Sequence, residues 1–400
     1  MKSRSRRAAW WVATLGLLVK LVYLLDQVTA APYAHEVFNN KNGLCSTFVH
    51  PYNYGCREFS VPTQDGFLLG VQRLYGPNRS KGPVFLYHGI MQGGDIWVIN
   101  QPRDSLAFQL ADAGYDVFLG NTRTSNFSYG HATLSRSDDD FWDWSWDNLV
   151  EQDLPTMLRF VHSQTNQRTM YVGFSQGTMT AFAAFAHSDV SGLVKKAAML
   201  GPVAYLENVD APMLSIASNM YLDRILLVAG VYEFRVENSG GRRVINTVCR
   251  SQRMQHVDCF DNLLDMVTGP NCCINTTRRP FYNRYEMQAT SMKNVAHMAQ
   301  LVRSGEFQKY DHGYVGNLLH YGSLDPPSYS LSAFPRTVPL LLIRGEKDEL
   351  ADKDDVARLV KELPSATQLV VVPRYAHGDV MLGVDATALV YRKVIDFFAK

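Results

Sequence analysis

The stretch Met170-Tyr171-Val172-Gly173-Phe174-Ser175-Gln176-Gly177-Thr178 constrains this chain more than any other. A short apolar run ends in G-x-S-x-G, and helix-compatible residues over 179–187 follow at once. Such a sequence reads as a buried strand that turns sharply into a helix and leaves one serine at a strained apex. Gly173 and Gly177 have a steric task there, because a Cβ at either would crowd the crossing of strand and helix. The pentapeptide also occurs in ordinary Gly-rich turns, so its meaning depends on what lies before and after it.

Those flanking segments alternate. Residues 59–75 read as a hairpin about the turn Gln64-Asp65-Gly66. A buried strand over 83–87 runs into the Gly-rich loop His88-Gly89-Ile90-Met91-Gln92-Gly93-Gly94. Helical spacing over 104–113 stops at Gly114, and 115–119 reads as a strand again. A long amphipathic helix over 147–163 leads to the strand 169–172, and 196–200 adds one more before Gly201-Pro202. This alternation predicts an α/β fold, a mostly parallel central sheet with helices on both faces. From about residue 205 to 334 the rhythm lapses into helical patches, loops and a cysteine cluster. It resumes with a strand at 338–343, a helix at 352–363, a last strand at 368–372 and a closing helix at 383–398. The organisation expected is one core, 31–204 and 335–400, interrupted by a mainly helical cap over 205–334.

Composition limits the alternatives. With 400 residues, 46% hydrophobic, the chain is long and apolar enough for one large domain with an insertion. A net charge of +1 argues against nucleic acid as a partner and against a strongly charged substrate. Lys2, Arg4, Arg6 and Arg7 precede an apolar run over 8–25, and Val28 and Ala30 supply small residues for cleavage after Ala30. That is the layout of a secretory signal peptide over 1–30. A signal anchor competes, since the run approaches spanning length, but Lys20 within it and the cleavage site favour removal, which leaves no permanent span.

The secretory route changes how the six cysteines read. An even number in an oxidising compartment points to disulfides. Cys45 and Cys56 pair with each other. Cys249 and Cys259 each meet one of Cys272 and Cys273, in an order that the spacing leaves open. Zinc is the alternative, but there is no C-x-x-C and adjacent cysteines chelate poorly, so neither metal nor cofactor is expected. Sequons at Asn78, Asn126 and Asn275 are candidate N-glycosylation sites.

A serine hydroxyl is a poor nucleophile until a histidine takes its proton, and a carboxylate must hold that histidine's tautomer. Two loops after the cap can supply these groups, each just past a strand: Arg344-Gly345-Glu346-Lys347-Asp348 and Arg374-Tyr375-Ala376-His377. Asp348 has Glu346, Asp352 and Asp354 as rivals, and His377 is one of eleven histidines. The order serine, aspartate, histidine at three strand ends is what selects Ser175, Asp348 and His377. An oxyanion hole needs two backbone N–H groups, and Gln176 and Ile90 are the candidates. His88 is assigned to holding its loop and kept out of the catalytic set.

At this point the chain resembles the acid lipase family of α/β hydrolases, the gastric and lysosomal lipases and their plant triacylglycerol lipase relatives. The residues that carry the likeness are Gly173-Phe174-Ser175-Gln176-Gly177-Thr178, His88-Gly89, Phe141-Trp142-Asp143-Trp144-Ser145-Trp146, Asp153-Leu154-Pro155, Gly201-Pro202-Val203-Ala204-Tyr205-Leu206 and His320-Tyr321-Gly322. Asn271-Cys272-Cys273 and Asp325-Pro326-Pro327 bring it nearer the plant members. The resemblance implies a cap-and-lid enzyme that hydrolyses neutral lipid esters, with Ser175, Asp348 and His377 as triad and Ile90 and Gln176 as oxyanion hole. It also implies a mobile lid near 235–275 that opens at a lipid surface. Two positions depart from the family pattern: Phe174 stands where His is common, and Arg123-Thr124 where Arg-Gly is usual. Neither belongs to the triad, so both bear on substrate detail and pH optimum.

The function expected is a secretory-pathway serine lipase acting on triacylglycerols and sterol esters at a droplet or micelle surface. Its address would be extracellular, lysosomal or vacuolar. Met213, Met220, Met254, Met266 and Phe260 give the cap apolar surface that would line an acyl pocket, but apolar helices of that kind are more often plain core, and no one of these residues is assigned to binding. The rival readings are an esterase or thioesterase for smaller soluble esters and a non-catalytic lipid-binding relative. An aspartate-nucleophile hydrolase is disfavoured by Ser175 itself.

Overall fold

The computed structural model describes residues 34–38, 40–235 and 259–400. The expected leader over 1–30, Cys249, Met254 and residues 236–258 of the expected lid lie outside them, as do the side chains of Met213, Cys259 and Phe260. In chain order the strands are β1 (His35–Val37), β2 (Gly55–Pro62), β3 (Leu68–Tyr75), β4 (Pro83–Tyr87), β5 (Asp116–Gly120), β6 (Thr169–Phe174), β7 (Val194–Leu200), β8 (Glu233–Phe234), β9 (Thr290–Ser291), β10 (Leu340–Gly345) and β11 (Thr367–Val372). Nine of them form one sheet in the order β1-β2-β3-β5-β4-β6-β7-β10-β11, antiparallel from β1 to β5 and parallel from there on.

Period-two side-chain alternation explains the two cores. Within β4, Phe85 and Tyr87 enter one buried cluster and Val84 and Leu86 the other, with every residue of the strand buried. A strand covered on both faces reads as an unbroken apolar run, which is why 83–87 was legible. Helices α1 (Leu106–Asp112) and, at the end of the chain, Arg392–Ala399 cover one face through Leu106, Phe108, Val394 and Phe398. Helices α2 (Leu154–Thr165) and α3 (Gln176–His187) cover the other through Leu154, Leu158 and Phe182.

The long helix expected over 147–163 is segmented. It begins at Trp146–Asn148, widens into a π-turn over Leu149–Asp153 and continues as α2, with Pro155 in the first turn, where its missing N–H costs no helical bond. The closing helix expected over 383–398 is likewise a π-turn, Thr387–Tyr391, followed by Arg392–Ala399. Sequence periodicity does not resolve 3.6 from 4.4 residues per turn over so few residues.

Between Leu200 and Leu340 no described residue joins the large sheet, yet β7 and β10 lie side by side, Leu340 opposite Ala197. The intervening helices are α4 (Pro212–Asn219), α5 (Leu222–Val228), α6 (Cys259–Thr268), α7 (Arg279–Tyr285), α8 (Met292–Ser304) and α9 (Gly313–Tyr321). The tryptophan-rich segment packs against α8 and the segments that follow it. Trp146 stacks on His297 of α8 at 4.6 Å and on Phe307 at 5.5 Å. Asp147 accepts hydrogen bonds from Tyr329 Oη at 2.7 Å and Tyr310 N–H at 2.9 Å.

One pairing departs from expectation. Cys45 and Cys56 are bonded as anticipated, but Cys272 and Cys273 are bonded to each other and not to Cys249 or Cys259. The sequence reading pairs each of these two with a distant cysteine; in the structure the Asp379 carboxylate gathers the amides of both at 3.0 and 2.9 Å.

Candidate active site

Ser175 sits between β6 and α3 with φ 52° and ψ −119°, a conformation that L-residues avoid unless the surroundings enforce it. Its N–H donates to Leu200 O at 3.0 Å, tying the turn to the neighbouring strand. The crossing is as tight as the motif predicts: a Cβ on Gly177 would lie 2.4 Å from the Tyr87 carbonyl oxygen, and one on Gly173 2.9 Å from the Gly177 backbone. The serine is 7% exposed.

Asp348 follows β10 and His377 follows β11. The His377 Nδ1–H donates to the Asp348 carboxylate, at 2.9 Å to Oδ2 and 3.1 Å to Oδ1. Asp348 Oδ1 also accepts from the N–H groups of Leu350 and Ala351, at 3.0 and 2.7 Å, so the carboxylate cannot swing away. Its rivals are engaged elsewhere. Glu346 accepts from Arg374 N–H, Asp352 caps the helix Lys353–Glu362, and Asp354 pairs with Lys353. Because a carboxylate only accepts, the proton of a neutral His377 resides on Nδ1 and leaves Nε2 as a lone-pair acceptor. That nitrogen is buried and has no hydrogen-bond partner.

The imidazole is confined on two sides. The Phe174 ring stacks on it at 5.0 Å and 30°, and the space beside Gly201, where a Cβ would fall 2.6 Å from Cε1, is filled by the same ring. Phe174 immediately precedes Ser175, and Gly201 follows the residue that accepts the Ser175 amide. Asp348 and His377 are thus bonded to each other, and the residues flanking the Ser175 turn lie against the imidazole.

The loop after β4 lies against the serine: a Cβ on Gly89 would come 3.0 Å from Ser175 Cβ. Ile90 is the next residue, and Gln176 adjoins Ser175 on the other side. His88 is buried and holds this loop, with Nδ1–H donating to Gly89 O at 2.8 Å and Nε2 accepting from Thr122 N–H at 3.1 Å. Burial pushes its pKa down to about 4, which keeps the ring neutral.

Spacing gave no sign of the polar network behind the loop. Gln92 accepts from Gly89 N–H at 3.1 Å and donates to Glu286 at 3.0 Å; Gln288 donates to Asp95 at 3.0 Å. Burial raises Asp95 to about 7, and burial together with the Asp95 charge raises Glu286 to about 8. These partners are separated by more than 190 positions in sequence, as the 194 between Gln92 and Glu286 shows, so no local pattern announces them. The Gln176 side chain is also tied to α8, donating to Asn294 Oδ1 at 3.0 Å.

The two departures from the family pattern have visible neighbours. Phe174 is the ring against His377. Arg123 is buried in a salt bridge with Asp153, Nη2 to Oδ1 2.6 Å, and reaches Asp65 at 2.8 Å, while Thr124 Oγ1 donates to Ala289 O at 3.2 Å. Of the apolar cap residues singled out, Met220 is exposed and Met266 half-buried. Of the sequons, Asn78 and Asn126 are exposed, and Asn275 is half-buried and accepts from Thr277 N–H.

A serine held at that backbone angle between a parallel strand and its helix defines an α/β hydrolase. The family model for the alpha/beta hydrolase fold matches residues 82–384, and that for a partial alpha/beta-hydrolase lipase region matches residues 45–101. Triacylglycerol lipase 1 of Arabidopsis thaliana is 39% identical over 386 residues, spanning 96% of this chain and 97% of that protein. Gastric triacylglycerol lipase of Rattus norvegicus is 34% identical over 366 residues, spanning 89% and 91%. Among solved structures, a soluble variant of monoglyceride lipase from Saccharomyces cerevisiae aligns with TM-score 0.51 and 14% identity over 85% of this chain and 95% of its own, a likeness of fold. The chain belongs to the lipase branch of the α/β-hydrolase family, with the plant and gastric triacylglycerol lipases, a branch of carboxylic ester hydrolases. The identity is higher to the plant enzyme, as the Asn271-Cys272-Cys273 resemblance implied. Among the described residues, no helix is long and apolar enough to cross a membrane.

Proposed function

We propose that the protein hydrolyses neutral lipid carboxylic esters, triacylglycerols first among them, through Ser175, His377 and Asp348. His377 Nε2 takes the Ser175 proton, and the serine oxygen attacks the ester carbonyl. The backbone N–H groups of Ile90 and Gln176 receive the developing oxyanion. His377 then gives its proton to the departing alcohol, and a water repeats the sequence to release the fatty acid. The observation that carries this reading is the buried, unpartnered Nε2 of an imidazole whose other nitrogen is held by Asp348. A buried lone pair without a donor is costly unless a substrate-stage partner completes it, and such contacts commonly tighten only when substrate is bound.

The lipid class rests on the named activity of the relatives, and the secretory route on the basic, apolar and small-residue order of the first thirty residues. Under this reading the enzyme works at a droplet or micelle surface outside the cytosol, in a lysosome or vacuole, or beyond the cell. The test is product analysis with purified protein on triacylglycerol emulsion, cholesteryl ester and a soluble short-chain ester, alongside Ser175→Ala. Fatty acid release from the emulsion that disappears in Ser175→Ala is expected. Turnover of the soluble ester alone would replace lipase by esterase, and full turnover by Ser175→Ala would remove the serine mechanism.

A further inference from the structure

We propose that Asp379 is a positioning residue for His377, and that the Cys272–Cys273 disulfide presets the two amides on which Asp379 is anchored. This rests on the reading of His377 as the catalytic base. Asp379 is fully buried and lies two residues beyond that imidazole. Its carboxylate accepts three backbone N–H groups: Ala376 at 2.8 Å, immediately before His377, and Cys272 and Cys273 at 3.0 and 2.9 Å. The carboxylate therefore staples the loop after β11 to the segment after α6. Further bonds follow the same seam. His377 N–H donates to Thr268 O at 3.2 Å, Asp379 N–H to Asn271 Oδ1 at 3.1 Å, and Val384 N–H to Cys273 O at 2.8 Å. Asp348 and the Phe174 ring touch the imidazole itself, and this seam holds the backbone that carries it.

The disulfide matters because two successive amides must point the same way to meet one carboxylate. Closing adjacent cysteines into a small ring restricts the backbone between them, and that restriction is lost when the ring opens. Cys272 is exposed, so a dithiol can reach it. Its thiolate attacks Cys272 Sγ and expels the Cys273 thiolate. The reagent's second thiolate then closes its own disulfide and releases Cys272, so two electrons pass to the protein and one dithiol is oxidised. Arg374 Nη2, 3.5 Å from Cys273 Sγ, favours the departing thiolate. With the ring open, both amides gain freedom to turn from Asp379, and the His377 loop loses its alignment with Ser175.

The experiment uses the full mature chain and a soluble short-chain ester, with kcat and KM read separately. Measurements cover the oxidised protein, the protein after dithiothreitol, and Cys272→Ser/Cys273→Ser and Asp379→Asn variants. Because small misplacement of a catalytic group costs rate more than binding, reduction and the double variant are expected to lower kcat by about 10- to 100-fold with KM little changed. Reoxidation should restore the wild type, and the double variant should ignore the reductant. Should Asp379→Asn fail to fold, the cysteine variant and the reduction series still decide. Unchanged kcat while alkylation shows Cys272 and Cys273 reduced would overturn the proposal, and so would a reductant effect that persists in the double variant. Ser175→Ala separates the two levels: if it retains turnover the mechanism itself has failed, whereas an inactive Ser175→Ala with unaffected cysteine variants removes only the positioning role.

Discussion

The Phe174 ring lies 5.0 Å from the His377 imidazole, tilted 30° to it, and belongs to the residue that precedes Ser175. An apolar face therefore covers the proposed base where relatives of this kind commonly carry a second imidazole. In Phe174→His, a protonated ring at 174 would oppose protonation of its neighbour. The acid limb of kcat/KM is expected to move to lower pH by about one unit, as like charges in contact do. An unmoved limb, with activity retained, would show that the contact does not tune the site.

Asp348 makes a prediction of a different size. Asparagine at 348 keeps the shape but offers an N–H to His377 Nδ1 and so favours the wrong tautomer. A fall in kcat of about 10⁴-fold is expected on a soluble ester, with little change in thermal midpoint. A loss below tenfold would transfer the role to another acid.

Two carboxyls behind the Gly89 loop, the buried Asp95 and the half-buried Glu286, set a pH dependence of stability. Asp95 is raised to about 7 and Glu286 to about 8, so above the usual carboxyl range the native chain holds protons that the unfolded chain has released. Stability then falls as pH rises, until both groups have ionised near pH 8. His88, pushed down to about 4 from 6.5, acts with the opposite sign and only below 6.5. Urea midpoints of the wild type should therefore decline from about pH 6.5 to 8, and Asp95→Asn/Glu286→Gln should flatten that decline. An identical slope in the double variant would exclude these two groups as its source.

Arg123 and Asp153 are buried together, 1% and 0% exposed in their side chains. Removing the guanidinium leaves a buried carboxylate with too few donors. Arg123→Met is expected to lower the unfolding free energy by about 3–5 kcal/mol in urea titrations, and Arg123→Met/Asp153→Leu to recover much of it. Equal loss in both variants would mean that packing and not charge is the cause.

What could be read along the chain was whatever is local. The unbroken apolar run of β4, the hairpin about Gly66 and the G-x-S-x-G turn each declare themselves within about ten residues, because side-chain period and turn sterics are short-range. The positions of Ser175, Asp348 and His377 just past three strands were legible for the same reason, and a parallel sheet brings strand ends to one edge. The Cys272–Cys273 bond, the Asp379 staple, the Gln92–Glu286 contact and the Phe174–His377 stack were not. The last three depend on which distant segments meet when the chain packs, and the bond between neighbouring cysteines on how their backbone is held; burial, hydrogen-bond partners and raised carboxyl pKa values exist only after that packing.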